Sequence, residues 1–125
     1  SFMLIFNPRD LYTYEVSRKD FGNRDAYIRI HVDRAKEDYI PRGKKAASKA
    51  YNIYFDYQYG KDILSIDEFI KSSKLFIQYD SISYPNRREV YLAAFDEEKG
   101  QYLPISKETS GTIKERGKYI LLSNR

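Results

Sequence analysis

The stretch "YNIYFDYQY", residues 51–59, alternates in character without a break. Tyr51, Ile53, Phe55, Tyr57 and Tyr59 fall on one side, and Asn52, Tyr54, Asp56 and Gln58 on the other. Successive strand side chains point to opposite faces, so this period of two predicts a strand with one buried face. A helical stripe through Ala47, Ala50, Tyr54 and Tyr57 leaves Ile53 and Phe55 on other faces, which argues against a helix. A chain with such a segment must build a sheet that covers a core.

The same split governs how the aromatic residues are read. The chain has 13 Tyr, seven Phe and no Trp. Tyrosine has a flat apolar body and a polar tip, so it suits half-buried strands and binding surfaces alike. A platform for stacking bases needs rings on an exposed face. In 51–59 the polar face carries one such ring, Tyr54, beside the carboxylate of Asp56.

Other strands are read from shorter alternations. "FMLIF" (2–6) suits a strand, and "LYTYEVS" (11–17) alternates like one before a turn at "FGNRD". "AYIRIHV" (26–32) puts Tyr27, Arg29 and His31 on one face and Ile28, Ile30 and Val32 on the other. "DRAKEDYIPRG" then reads as a mobile polar loop, with a helical turn expected at 44–49. "LFIQYDSISY" (75–84) reads as a strand kinked near Asp80. "EVYLAAF" (89–95) and "QYLPIS" (101–106) flank "DEEKG", a five-residue hairpin connection containing Gly100. "YILL" (119–122) is apolar at consecutive positions, so both faces of that strand should be covered. Gly117 suggests a tight turn or bulge before it.

One segment predicts a helix. In "LSIDEFIKSSK" (64–74), Ser65 and Glu68 have capping-box spacing, and Leu64 and Phe69 that of a hydrophobic staple. Asp67 and Glu68 would lie at the positive end of the helix dipole, Lys71 and Lys74 at the negative end. The fold expected is therefore α+β: mainly antiparallel β, as a curved sheet, partly open barrel or small sandwich. It would have six to eight strands and one packed helix at 65–74. With 125 residues and no linker or repeat, the whole chain reads as one domain.

Several classes of chemistry find no support in the sequence. No cysteine is present, so disulfides and thiolate metal sites are excluded. The lone histidine, His31, cannot build a His-rich metal centre. Phosphate-loop glycine patterns and a nucleophile elbow are absent. Glu97-Glu98-Lys99 superficially resembles half of a metal-dependent nuclease site, but its place at a hairpin tip reads as a solvated turn. No cofactor and no metal are expected. The apolar runs are too short for a signal peptide or a membrane span, so no membrane partner is expected. Ser1 and Phe2 read as a tag remnant before Met3. These features favour the cytoplasm, and a mature secreted chain fits them too.

What remains is binding. Lys and Arg number 22 against 18 Asp and Glu. Six basic residues, Arg34, Lys36, Arg42, Lys44, Lys45 and Lys49, gather just before the tyrosine strand, with two acids among them. Cations on such a segment can follow a phosphate backbone and release its counterions. With Tyr54 they form the expected nucleic-acid site of a non-catalytic binding module, of the kind that phages or mobile elements use as an accessory protein. The alternative is a protein-binding inhibitor or adaptor anchored by Tyr84, Arg87, Arg88 and Tyr91 in "SYPNRREVY". A third reading, a small RNase-like enzyme, would draw on His31, Arg29, Lys44, Lys45 and a tyrosine. The sequence leaves the oligomeric state open.

Overall fold

The computed structural model describes residues 2–5, 26–59, 61–66, 68–79 and 82–124. In chain order its strands are β1 (Phe2–Ile5), β2 (Ala26–Ala35), β3 (Lys45–Ala46), β4 (Ala50–Tyr59) and β5 (Asp62–Ile66). They continue as β6 (Glu68–Ile77), β7 (Val90–Asp96), β8 (Gln101–Pro104), β9 (Ser110–Glu115) and β10 (Gly117–Ser123). A 3-10 turn at Arg87–Glu89 leads into β7. The strand and turn expected at 11–25, and the kink at Asp80, lie outside the described residues.

The strands pair antiparallel in two sheets. The smaller has the order β1-β6-β9. The larger follows the path β2-β4-β10-β7-β8, with β3 on β10 and β5 on β4. Neither closes into a barrel. Between the sheets lies a core of Tyr51, Ile53, Phe55 and Tyr57 from β4, Leu92 from β7, Tyr119 and Leu121 from β10, and Leu75, Ile77 and Ile113 from the smaller sheet. Tyr51, Ile53, Phe55 and Tyr57 are 8, 0, 1 and 1% exposed, as the alternation requires. β4 holds the centre: β2 runs along one side of it, while β10 and β5 share the other.

The expected helix at 65–74 is not formed. Its described residues, 65–66 and 68–74, belong to β5 and to β6, the middle strand of the smaller sheet. Capping and staple signals contribute about 1 kcal/mol each, and an isolated helix of ten residues is marginal in water. Pairing with β1 over 74–77 and with β9 over 73–76 satisfies the backbone of the second half of β6 and drives Leu75 and Ile77 into the core. Ser65, expected as an N-cap, instead lies opposite Asp56 and accepts a 3.4 Å hydrogen bond from Arg116 Nη1.

The hairpin at 90–104 forms as its sequence requires. Asp96 Oδ1 accepts from the backbone N–H groups of Glu98 and Lys99 at 3.0 and 3.1 Å, and Gly100 takes the positive φ of 66° that closes the turn. Glu97 and Glu98 are exposed at its tip. β10 is covered on both faces, with Ile120, Leu121 and Leu122 all 0% exposed. Arg116 separates β9 from β10, but the two strands lie in different sheets. "GTIKERGKYILL" is therefore a crossing between sheets rather than a hairpin.

The second covering of β10 comes from the basic segment. Residues 36–44 have the irregular backbone expected of a loop but run as a strap across the outer face of the larger sheet, and in place of the helical turn expected at 44–49 residues 45–46 form β3, paired with β10. Ile40 and Ala46 pack on Ala93, Tyr102, Ile120 and Leu122, which makes a second apolar cluster. The Tyr102 backbone N–H donates to Tyr39 O at 2.9 Å, and its hydroxyl donates to Lys36 O at 3.2 Å. At the other end Ala47 N–H donates to Leu121 O, and Leu121 N–H donates to Ser48 Oγ. Within "DRAKEDYIPRG", the end of β2 supplies Ala35 and the strap supplies Ile40 to this cluster, because both lie against the sheet.

Candidate nucleic-acid interface

The strap divides the outer face into two clefts. The first, of about 400 Å³, opens between strap and sheet on the β2 side. Its walls hold three rings. Tyr39 meets Phe95 edge-on at 5.8 Å, and Phe95 meets Tyr102 edge-on at 5.4 Å. Three cations surround them: Arg34 at the end of β2, Lys36 on the strap, and Lys118 on β10 with Nζ 5.1 Å from the Phe95 ring centre. No carboxylate lines the cleft. Glu37 and Asp38 flank it, and Glu37 lies 3.7 Å from Arg34. Burial, with help from Asp38 and Glu37, holds the Tyr102 phenol above the usual range, so it stays a hydrogen-bond donor.

Tyr39 is the notable member. It has a φ of 65°, a left-handed conformation that costs a non-glycine residue about 1–2 kcal/mol. Its carbonyl is fixed by Tyr102, and its side chain is 61% exposed. The backbone is held in a strained state that presents a ring to solvent at the mouth of a cationic cleft.

The second cleft, of about 370 Å³, lies at the far end of the strap. Lys44, Arg88 and Lys107 line it with Tyr91, Ser106 and Asn124, and Arg88 and Lys107 also border an adjoining pocket of about 640 Å³ whose walls include Arg87 and one carboxylate, Glu108. Lys44 Nζ is positioned by Asn124 Oδ1 at 2.6 Å. Asn86 Oδ1 accepts from Arg88 N–H at 3.1 Å and so sets the turn that carries Arg88.

A third grouping sits on the outer face of β2 and β4. Asp56 Oδ1 accepts from Arg29 Nε at 2.7 Å and Oδ2 from Nη2 at 3.0 Å, and His31 Nε2 lies 2.7 Å from the same Oδ2. Arg29 above all, then His31, holds the Asp56 carboxyl below the usual range against the opposing effect of burial. The His31 ring stacks on Tyr54 at 4.6 Å and 6°. The Arg116 guanidinium lies 5.9 Å from the same ring, and the Tyr54 hydroxyl donates to Asp33 Oδ2 at 3.0 Å. That hydrogen bond is the main cause that raises the Tyr54 phenol.

The expected nucleic-acid site is thus dispersed. Arg34 and Lys36 enter the first cleft and Lys44 the second, while Arg42, Lys45 and Lys49 are exposed along the strap. Tyr54 joins none of them, since its ring is engaged by His31 and Arg116. Of the expected protein-binding anchors, Arg87 and Arg88 are exposed. Tyr84 is half-buried, with its hydroxyl donating to Ala46 O at 2.9 Å, and Tyr91 is 7% exposed. Arg88 and Tyr91 share a cleft with Lys44, which unites two sites that the sequence kept apart. The nuclease set separates: Arg29 and His31 meet, but Lys44 and Lys45 lie roughly 20–30 Å away, judged from the strand rise along the paired register.

Sequence reasoning missed Tyr39, Phe95, Tyr102 and Lys118. An available signal was the pair Tyr39-Ile40 in an otherwise charged loop, since apolar residues there imply a surface to cover. No helix among the described residues is long and apolar enough to cross a membrane. Comparison with protein-family models, with curated proteins and with solved structures gives no match.

Proposed function

We propose that the protein is a non-catalytic module that binds single-stranded nucleic acid in the first cleft. The observation that carries this reading is the solvent-presented Tyr39 ring, backed by Phe95 and surrounded by Arg34, Lys36 and Lys118. A base can stack on an exposed tyrosine, and each such stack contributes about 1–3 kcal/mol. The cations beside it can take the flanking phosphates, with Arg34 shared between phosphate and Glu37. Edge-on rings and lysines do not read base identity, so the module should tolerate many sequences. Duplex DNA offers no unstacked base and should bind less well.

The test is fluorescence anisotropy with labelled oligothymidine, a random single-stranded RNA and a duplex, each at two salt concentrations. Single strands should bind, and weaken as salt rises. Tyr39→Gly should lower affinity by about 5-fold to 100-fold, the loss of one stack. Glycine accepts the left-handed φ, so the thermal midpoint should hold. Absence of binding at low salt, or an unchanged affinity in Tyr39→Gly, would refute this reading.

A further inference from the structure

The two clefts lie on one face. Phe95 and Tyr91 alternate onto the same side of β7, and Lys118, Ile120 and Leu122 onto the same side of β10. Four residues separate Phe95 from Tyr91, and six separate Lys118 from Asn124, so strand rise puts the clefts about 13–20 Å apart. Between them lie strap residues 40–43, where Arg42 is exposed at the turn with Gly43. Arg88 and Lys107 make no ion pair among the described residues. Lys44 is fixed by a neutral partner, Asn124, and keeps its charge uncompensated.

We propose that the Lys44–Arg88–Lys107 cleft is a second phosphate-binding site, which holds the same strand whose base stacks on Tyr39. The strand leaves the first cleft, crosses the strap beside Arg42 and places a phosphodiester among the three cations. This rests on the reading of the first cleft given above. The second cleft supplies charge and Asn124 but no exposed ring, since Tyr91 is buried. It therefore holds backbone and not base. A strand stretched to roughly twice the 3.4 Å per phosphate of a duplex crosses the gap in about three nucleotides. A dinucleotide, which spans about 7 Å, reaches one cleft, and a dodecamer reaches both.

Affinity for 5′-phosphorylated thymidine 2-mers and for 12-mers, measured across salt, tests the proposal. Each phosphate contact on a single strand contributes about 0.7 to the slope of log affinity against log salt. The 2-mer should show a slope of about −1.4 for about two contacts, and the 12-mer about −4 for about six. The double variant Arg88→Glu/Lys107→Glu should bring the 12-mer slope down to about −2, the share of the first cleft, and leave the 2-mer unchanged. Arg88→Ala/Lys107→Ala gives the same comparison should the charge reversal disturb folding, and the thermal midpoint reports on that. A 12-mer that binds either double variant as well as the native protein overturns the second cleft and leaves the first standing. A 2-mer weakened as much as the 12-mer makes the second cleft the primary site and overturns the shared path. Native protein that binds neither oligomer removes the first-cleft reading, and this inference with it.

Discussion

Asp56 shows how a single side chain on a strand face is specified. Its place opposite Arg29 follows from pairing between β2 and β4, and His31 is two pairs further along, on the same face. The carboxylate collects charge-assisted hydrogen bonds from both. Its pKa in the folded protein is depressed, mainly by Arg29. The stabilisation is therefore fully present above the unfolded value of about 3.9 and is lost as pH falls through the folded value. Asp56→Asn should cost about 1 kcal/mol near neutral pH, a modest figure because Arg29 is partly exposed. The gap between native and variant thermal midpoints should shrink as pH drops below about 4; a gap that stays constant would show that the ion pair contributes nothing. Tyr39 is the opposite case. Nothing local in "EDYIP" requires a left-handed tyrosine, and its conformation is set by the hydrogen bond from Tyr102 and the contact with Phe95.

Among the elements, β4 and β6 mark the two ends of legibility. The alternation of β4 is long, and both of its faces have consistent chemistry, so strand and buried face could be read directly. β6 carries local helix signals over residues whose partners, β1 and β9, are distant in sequence. Non-local pairing outweighed a few kcal/mol of local preference. Lys74→Pro tests that pairing without touching the core, because the Lys74 side chain is exposed. Lys74 pairs with Ile5 and Thr112, and proline in a middle strand removes a ladder bond and clashes with its neighbours. The cost should be on the order of 3 kcal/mol, measured by urea denaturation. A negligible loss would show that residue 74 is not held in a middle strand.

Across the whole molecule, the strap makes the difference between a plain two-sheet fold and one with clefts. It seals Ile120 and Leu122, and it carries Lys36 and Tyr39 to one opening and Lys44 to the other. Its tie to β8 can be loosened by Tyr102→Phe, which removes the hydroxyl that donates to Lys36 O. That change should cost about 1 kcal/mol. Amide hydrogen exchange should quicken at residues 36–40 and stay as it was in β4 and β10, since the outer tie opens before the core does. Uniformly faster exchange would mean that the strap has no local opening of its own. Binding of oligothymidine should weaken modestly in the same variant, because the lost bond holds the strap at Lys36, a cation of the first cleft, while the backbone bond to Tyr39 remains.

The sequence by itself determined which residues of 51–58 are buried, the hairpin closed by Gly100, the two covered faces of 119–122 and the concentration of cations at 34–49. Each of these is written in nearest neighbours or in a period of two, which needs no knowledge of the partner strand. Tertiary structure alone decided that 68–77 is a strand, that the basic segment is a strap, and that Tyr39 rather than Tyr54 faces solvent beside Arg34, Lys36 and Lys118. Those outcomes depend on contacts between segments tens of residues apart. Their energies, from burial and from backbone pairing, exceed the local preferences that a single stretch of chain can express.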